Sequence, residues 1–127
     1  MIFNPTKLNT TQWIETAQIA GFAEAILVAK HHDGFMLYPS KFTNHSVRSS
    51  LAWRNGKGDV IKDFVQSCNS LSVKPSFYVS PWDRNYYNMT WKDSYNQYYI
   101  DTLKVLTRGY GPFYQLWWDG ANAKHNM

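Results

Sequence analysis

Gln115-Leu-Trp-Trp-Asp-Gly120 is the stretch of this chain that indicates its fold most directly. Its apolar residues are typical of a buried β-strand, and the strand stops at one carboxylate and a glycine. In a (β/α)8 barrel the catalytic carboxylates lie at the carboxyl ends of the strands, on the rim of the barrel. The stretch therefore predicts a parallel strand that presents Asp119 at such a rim, and Asp119 is the first candidate for a catalytic residue.

Length and composition indicate a single globular unit. The chain has 127 residues, of which 44% are hydrophobic, and this is enough apolar material to form a core. The aromatic fraction of 17% is high, and it fits either a core filled with rings or a cleft that stacks rings against sugar faces. The net charge of +4 comes from basic residues that are scattered singly. Because they form no stripe, nucleic-acid binding is not expected.

Cys68 is the only cysteine, so a disulfide within the chain and a cysteine-rich metal site are both excluded. Its position on a helical apolar face predicts a buried thiol. We expect no membrane-spanning segment, since no apolar stretch is long enough, and no signal peptide, since no basic start precedes an apolar run. Sequons at Asn9, Asn44 and Asn88 fit a secreted or lysosomal eukaryotic protein, but such triplets also arise by chance.

Helical and strand patterns alternate along the chain. The predicted order is helix, strand, helix, strand, helix, strand, which indicates a parallel sheet with right-handed crossovers. The predicted fold class is therefore α/β, with about three parallel strands of a partial (β/α)8 barrel. The predicted elements are a helix capped by Asn9 that stops near Gly21, a strand from Ala23 to Ala29, a helix capped by Asp59, a strand from Pro75 to Ser80, a helix from about Ser94 to Tyr110, and a strand from Phe113 to Trp118.

A cluster of polar and aromatic residues follows each predicted strand. The carboxyl ends of parallel strands meet at one edge of the sheet, where barrels and doubly wound sheets place their sites. Side-chain alternation puts Trp117 and Asp119 on one face of their strand, and Tyr78 and Ser80 on one face of theirs. The three clusters are Lys30-His-His-Asp-Gly34, Ser80-Pro-Trp-Asp-Arg84 and Asp119-Gly120.

The adjacent His31 and His32 cannot both point to one side of a regular strand. Both can reach a ligand only if the chain turns there, and Asp33-Gly34 permits such a turn. The stretch from about Gly34 to Gly58 is the longest irregular segment, and loops of this length are usually functional or disordered.

Six motifs follow one another in the chain: Asn4-Pro-Thr-Lys-Leu8, Ala29-Lys-His-His-Asp-Gly-Phe35, Pro39-Ser-Lys41, Gly56-Lys-Gly-Asp-Val60, Phe77-Tyr-Val-Ser-Pro-Trp-Asp-Arg84 and Trp117-Trp-Asp-Gly120. Together they resemble the catalytic domain of the retaining α-L-fucosidases, glycoside hydrolase family 29. The resemblance covers nearly the whole chain, and its specificity comes from several separate motifs in the right order.

The resemblance implies a role for five residues. Asp119 matches the family's nucleophile, and Trp117 matches a residue that packs against the fucose. His31 and His32 match the pair that hydrogen-bonds the sugar hydroxyls, and Tyr78 matches a tyrosine that lines the pocket. The implied substrate is a fucosylated glycan, with no cofactor and no metal, and a secreted, periplasmic or lysosomal location is favoured.

A retaining glycosidase needs two carboxyl groups about 5 Å apart, and Asp119 can be only one of them. Asp33 and Asp83 lie on the same predicted rim. Asp33, however, sits in the turn after the histidines, and Asp83 is expected to form an ion pair with the neighbouring Arg84, which would lower its pKa. The resemblance implies that the acid/base residue and a further substrate-binding histidine lie on segments outside this chain.

The chain is therefore interpreted as a part, residues 1–127, of a barrel catalytic domain that takes about 250 residues when complete. Because its sheet edges would stay open, such a part is expected to be a truncated product, a fragment of a longer gene, or a chain that associates with the missing barrel segments or with other protomers. Two functions remain open: a retaining exo-glycosidase that removes terminal α-L-fucose, or a remnant that is inactive or binds fucose weakly.

Each candidate residue also has a structural interpretation. Asp119 could cap a helix that follows the strand. The two histidines could form a structural pair or bind a metal, although adjacent histidines point apart and no third ligand has suitable spacing. Tyr78 and Trp117 could be core aromatics, and Trp118, which has the opposite parity, is expected to pack against the outer helices. Trp82 fits either a core or a cleft.

Overall fold

In the part of the chain that the structure describes, three α-helices and three strands alternate in the order that the sequence predicts. The computed structural model describes residues 3–86 and 93–119. The sequon at Asn88 lies outside the described residues. The elements are α1 (Thr10–Ile19), β1 (Glu24–Lys30), α2 (Val60–Ser70), β2 (Lys74–Val79), α3 (Asp93–Gly109) and β3 (Leu116–Trp117).

The strands form one parallel sheet in the order β1-β2-β3. Val28 of β1 is aligned with Tyr78 of β2, and Tyr78 is aligned with Trp117 of β3. All three strands therefore end at the same edge of the sheet. The predicted α/β class and parallel sheet are confirmed, whereas closure into a (β/α)8 barrel stays a prediction.

Both predicted helix caps are present. The Asn9 side chain accepts a hydrogen bond from the backbone N–H of Gln12, and Asp59 accepts one from Lys62. These bonds satisfy amide groups that have no partner within the first turn of a helix. At the other end of α1, Gly21 adopts a left-handed φ of 83° directly after the helix stops.

The hydrophobic core lies between the helices and one face of the sheet. Its buried members include Ile14, Ala29, Ile61, Phe64, Cys68, Phe77, Val79 and Leu106. Cys68 is fully buried, as its position predicted, and burial raises the pKa of its thiol to about 11. The long segment between β1 and α2 contains two short 3-10 helices, Val47–Ser49 and Arg54–Gly56, and is otherwise irregular, as predicted. Met36, Tyr38 and Val47 in this segment are fully buried.

The opposite face of the sheet is only partly covered by the described residues. The apolar run from Ala23 to Ala29 is typical of a buried strand, but Ile26 and Val28 of β1 remain 41% and 40% exposed, so burial is not found on this face within the described residues. Trp117, on the same face, is 51% exposed. The physical reason is that α1, α2 and α3 contribute their apolar residues to the other face.

The last strand is shorter than predicted. β3 comprises Leu116–Trp117, whereas the sequence predicted a strand from Phe113 to Trp118. Trp118 is 61% exposed, so the prediction that it packs against the outer helices is wrong. It lies beyond the last paired residue of the sheet, where strand alternation no longer fixes the direction of a side chain.

None of the helices in the described ranges is long and apolar enough to cross a membrane.

Candidate active site at the carboxyl ends of the strands

All five side chains to which the resemblance assigns a role come together at the carboxyl ends of the strands. His31 and His32 follow β1, Tyr78 lies near the end of β2, and Trp117 and Asp119 lie at and just after the end of β3. A network of hydrogen bonds and ring contacts joins the five. Their roles in binding or catalysis remain predictions.

Asp119 is exposed to solvent and held from two sides. The Tyr78 hydroxyl donates a hydrogen bond to its Oδ2 at 3.0 Å. The Ser80 hydroxyl donates to its backbone carbonyl at 3.1 Å. The carboxylate is therefore oriented by β2 while it stays accessible to a ligand.

Tyr78 forms the floor of the site. Its ring is stacked on that of His31, with centroids 5.4 Å apart and an interplanar angle of 11°, and it meets Trp117 edge to face at 5.4 Å. Burial raises the pKa of the Tyr78 hydroxyl, and the hydrogen bond and charge of Asp119 raise it further. Tyr78 therefore keeps its proton and acts as a hydrogen-bond donor to the carboxylate.

The two histidines turn into the site as predicted. Gly34 has a φ of 80°, and its N–H donates to the carbonyl of His31 at 3.0 Å, which closes the turn. The two imidazole rings lie 4.2 Å apart between centroids. Desolvation lowers the pKa of His32, and the neighbouring His31 lowers it further. A neutral imidazole is therefore favoured at His32.

The site also depends on Ser80, to which the sequence assigned no role. Ser80 is fully buried, and its Oγ lies 2.7 Å from Nδ1 of His32. The same oxygen accepts a hydrogen bond from the backbone N–H of Trp82 at 3.0 Å. Ser80 thus connects the loop after β1 with Asp119. Its parity with Tyr78 was the signal in the sequence, but a serine at a strand end is too common to be singled out.

Lys30 is a second residue that sequence reasoning missed. It is fully buried, and its Nζ donates to the carbonyls of Ser80 at 2.8 Å and Trp82 at 3.0 Å. Its Nζ also lies 3.3 Å from Oδ2 of Asp83. Burial lowers the pKa of Lys30, and the charge of Asp83 opposes that shift. A lysine at the end of an apolar strand was the available signal.

The predicted ion pair between Asp83 and Arg84 is wrong. Asp83 is buried and pairs with Lys30, whereas Arg84 is exposed. The reason is that Asp83 points inward beneath Gly34, where its Oδ1 accepts hydrogen bonds from two backbone N–H groups at 3.0 Å. The Tyr98 hydroxyl lies 3.3 Å from its other oxygen. Asp83 therefore has a structural role.

The other predicted rim acid, Asp33, is exposed in the histidine turn. Its Oδ1 accepts a hydrogen bond from the backbone N–H of Phe35 at 3.3 Å.

Trp82 is half-buried in the loop that Lys30 holds. Within residues 3–86 and 93–119, no group of three or more His, Cys, Asp or Glu side chains is placed to hold a metal ion.

Comparison with known proteins agrees with this geometry. The family model for alpha-L-fucosidase matches residues 1–127. The chain is 43% identical over 122 residues to Alpha-L-fucosidase 1 of Arabidopsis thaliana, and the match covers 96% of this chain and 24% of that protein. The chain thus spans about a quarter of the length of this curated relative.

Solved structures show the same similarity. A glycoside hydrolase 29 family member from an unknown rumen bacterium is 40% identical, with a TM-score of 0.88 over 94% of this chain and 21% of that one. Alpha-L-fucosidase isoenzyme 1 from Paenibacillus thiaminolyticus is 26% identical, with a TM-score of 0.81 over 94% and 32%. From the family match, the sequence identity and the shared fold, the chain belongs to the alpha-L-fucosidase family of glycoside hydrolases.

Proposed function

We propose that this chain carries the nucleophile and part of the sugar pocket of a retaining α-L-fucosidase, which removes terminal α-L-fucose from glycans. The observation that carries the proposal is the carboxylate of Asp119, exposed at the rim and oriented by the Tyr78 hydroxyl at 3.0 Å. Family membership supplies the reaction class.

In the first step, a carboxylate oxygen of Asp119 attacks the anomeric carbon of the fucose. The bond from that carbon to the leaving oxygen breaks, and an acid donates a proton to the oxygen. In the second step, water attacks the same carbon, the ester bond to Asp119 breaks, and the former acid accepts the proton of the water. The Tyr78 hydroxyl stabilises the carboxylate charge before the attack and after the release.

The remaining side chains would bind the sugar. The half-exposed ring of Trp117 offers an apolar surface to the fucose, next to Asp119. His31 and His32 would hydrogen-bond the sugar hydroxyls from the loop after β1. This assignment rests on the family match. It is supported by the contacts of His31 with Tyr78 and of His32 with Ser80, because Tyr78 and Ser80 are the residues that hold Asp119.

We propose that the acid/base residue lies outside this chain. Of the two other acids on the rim, Asp83 is buried in its pair with Lys30 and cannot serve, and Asp33 is engaged with the turn after His32. The half-exposed face around Ile26 and Val28 supports a (β/α)8 barrel whose further segments, or another protomer, complete the pocket.

A second candidate function is a remnant that is inactive or binds fucose weakly. The ion pair of Asp83 with Lys30 favours the remnant for the 127-residue chain taken alone, because it leaves Asp83 unsuited to act as the acid. A nucleophile without an acid cannot release an ordinary aglycone efficiently. We expect the isolated chain to release little or no fucose from an alkyl α-L-fucoside, whose leaving oxygen needs a proton from an acid. Turnover that depends on Asp119 in the isolated chain would rule the remnant out.

Turnover in a full-length protein that contains this chain tests the first proposal. We expect Asp119→Ala to abolish turnover of nitrophenyl α-L-fucoside while fucose binding remains measurable. Asp101→Ala is the matched control, because Asp101 lies on α3 and pairs with Lys104 at 2.9 Å, away from the site. Turnover retained by the Asp119→Ala protein would refute the proposed nucleophile.

A further inference from the structure

Ser80 lies at the centre of the site, with three polar groups around one hydroxyl. Its Oγ is 3.1 Å from the backbone carbonyl of Asp119 and 3.0 Å from the backbone nitrogen of Trp82. It is 2.7 Å from Nδ1 of His32. The residue is fully buried, so water does not compete for these bonds.

The Asp119 carbonyl and the Trp82 N–H limit which hydrogen-bonding role the Ser80 hydroxyl can offer to His32. A serine hydroxyl carries one hydrogen to donate and two lone pairs that accept. The carbonyl of Asp119 can only accept, so it takes the hydroxyl hydrogen. The N–H of Trp82 can only donate, so it occupies one lone pair. When the hydroxyl hydrogen is donated to the Asp119 carbonyl, the second lone pair is left for His32, and in this arrangement Nδ1 is the donor.

We propose that Ser80 is a positioning residue that holds His32 with its hydrogen on Nδ1, so that Nε2 presents a lone pair to the ligand. Among the described residues, Nε2 of His32 has no hydrogen-bond partner. The lowered pKa of His32 keeps the ring neutral, as an accepting nitrogen requires.

The Nδ1–H tautomer of His32 sets the direction of one hydrogen bond to the substrate. On the proposed function, on which this step rests, the partner of Nε2 is a hydroxyl of the fucose, and that hydroxyl donates its hydrogen to the imidazole. Ser80 also ties this contact to the nucleophile, because the same hydroxyl holds the backbone of Asp119. The carbonyl of Ser80 is in turn held by Lys30 at 2.8 Å, which fixes the position of Ser80.

The tautomer can be measured without any turnover. In the protein labelled with ¹⁵N-histidine, long-range ¹H–¹⁵N correlation spectra near neutral pH show which ring nitrogen carries the hydrogen. A His32→Asn variant identifies the His32 signals by their loss from the spectrum. We expect the unmodified protein to show His32 in the Nδ1–H form. An Nε2–H form in the unmodified protein would overturn the proposal.

Two substitutions separate positioning from general packing. Ser80→Ala should release His32 from the Nδ1–H form, and Ser80→Thr, which keeps a hydroxyl, should retain that form. Near-ultraviolet circular dichroism checks that both variants fold. A folded Ser80→Ala protein that keeps the Nδ1–H form would contradict the proposal, and so would a folded Ser80→Thr protein that loses it. If Ser80→Ala does not fold, the spectrum of the unmodified protein still decides.

The outcome is independent of the proposed function. A full-length protein with the Nδ1–H tautomer but no fucosidase turnover would contradict the proposed function and leave the role of Ser80 intact. A full-length protein with turnover and the Nε2–H tautomer would contradict the role of Ser80 and leave the proposed function intact.

Discussion

At the scale of single residues, the Tyr78 hydroxyl orients the carboxylate of the candidate nucleophile. Tyr78 is buried between the rings of His31 and Trp117, and its hydroxyl reaches Asp119. Because burial and the Asp119 charge raise the pKa of Tyr78, the hydroxyl stays protonated across the neutral range. A donor in this position stabilises the ionised carboxylate and fixes the direction of its oxygens.

Replacing Tyr78 with phenylalanine removes this donor and keeps the ring. A hydrogen bond to a charged group contributes about 1.5–3 kcal/mol, so we expect kcat/KM of a full-length protein to fall by about 10- to 100-fold. Tyr114→Phe is the control, since Tyr114 is 60% exposed and lies against Lys74. Assays with nitrophenyl α-L-fucoside compare the two. An unchanged kcat/KM for Tyr78→Phe would show that the hydroxyl does not support the nucleophile.

His32 should titrate below the ordinary histidine value of 6.5. Desolvation is the main cause, and the positive charge of a protonated His31 adds to it. As the pH falls below 6.5, the unfolded chain takes up the proton before the folded chain does, so this residue makes stability decrease with falling pH. A pH titration of the His32 ring signals by NMR checks the direction, and a midpoint at or above 6.5 would contradict it.

The sequence was more informative about which residues reach the site than about what holds them there. Strand parity and the turn at Gly34 bring His31, Tyr78 and Asp119 together, because both follow from local backbone geometry. The contacts of Ser80 and Lys30 join residues 39 and 50 positions apart. No local pattern encodes such contacts, so they appear only when the loops are placed in space.

At the scale of elements, a buried ion pair joins the loops that follow β1 and β2. Lys30 and Asp83 are 3.3 Å apart, with side chains 0% and 1% exposed. Lys30 also holds two carbonyls of the loop after β2, and Asp83 lies beneath the histidine turn. The pair therefore fixes the relative position of the two loops that carry His32 and Ser80.

Breaking this pair should be costly. Lys30→Met removes the cation that faces the buried carboxylate of Asp83, and we expect a loss of about 3–5 kcal/mol in the free energy of unfolding. Arg54→Met is the matched control, because Arg54 and Asp63 form an exposed pair at 2.7 Å, for which about 0–1 kcal/mol is expected. Urea denaturation of both variants gives the comparison. Equal losses would show that the buried pair has no special role.

Two alanine substitutions, at Gly34 in the histidine turn and at Gly21 after α1, form a second matched pair of variants. Gly34 and Gly21 have φ values of 80° and 83°, but a Cβ on Gly34 would overlap Oδ1 of Asp83, whereas one on Gly21 would meet nothing within 4 Å. Gly21→Ala should therefore cost about 1–2 kcal/mol for the left-handed backbone alone.

Gly34→Ala should cost more, since Asp83 must move from its pair with Lys30. Urea midpoints measure both losses. If the two alanine variants lose the same stability, the close packing of Asp83 against the turn is refuted.

Element boundaries show where sequence reasoning fails. The caps at Asn9 and Asp59 were predictable, because the cap residue and its amide partner are three positions apart. The short β3 was not predictable from its apolar run. The run from Phe113 to Trp118 shows only that these residues are apolar. The length of the strand depends on how many residues of the neighbouring strand pair with it, and here Phe77 and Tyr78 of β2 do so.

At the scale of the whole molecule, the helices cover one face of the sheet and the site lies at its edge. The apolar sequence of β1 predicted burial on both faces, as in a typical parallel sheet. The described residues cover only one, and Ile26, Val28 and Trp117 remain about half exposed. The fold class and the order of helices and strands along the chain were predictable from periodicity, whereas the coverage of each face of the sheet depends on tertiary contacts.

The central claim is that Asp119 bonds covalently to the anomeric carbon of fucose. Fluoride leaves without a proton from an acid, so a fucosyl fluoride that also carries fluorine at C2 should form the ester and then hydrolyse slowly. The measurement is mass spectrometry of peptides from a full-length protein treated with this reagent. We predict that the peptide containing Asp119 gains the mass of the fluorinated sugar and that Asp119→Ala prevents it. An adduct on a different carboxylate would contradict the account.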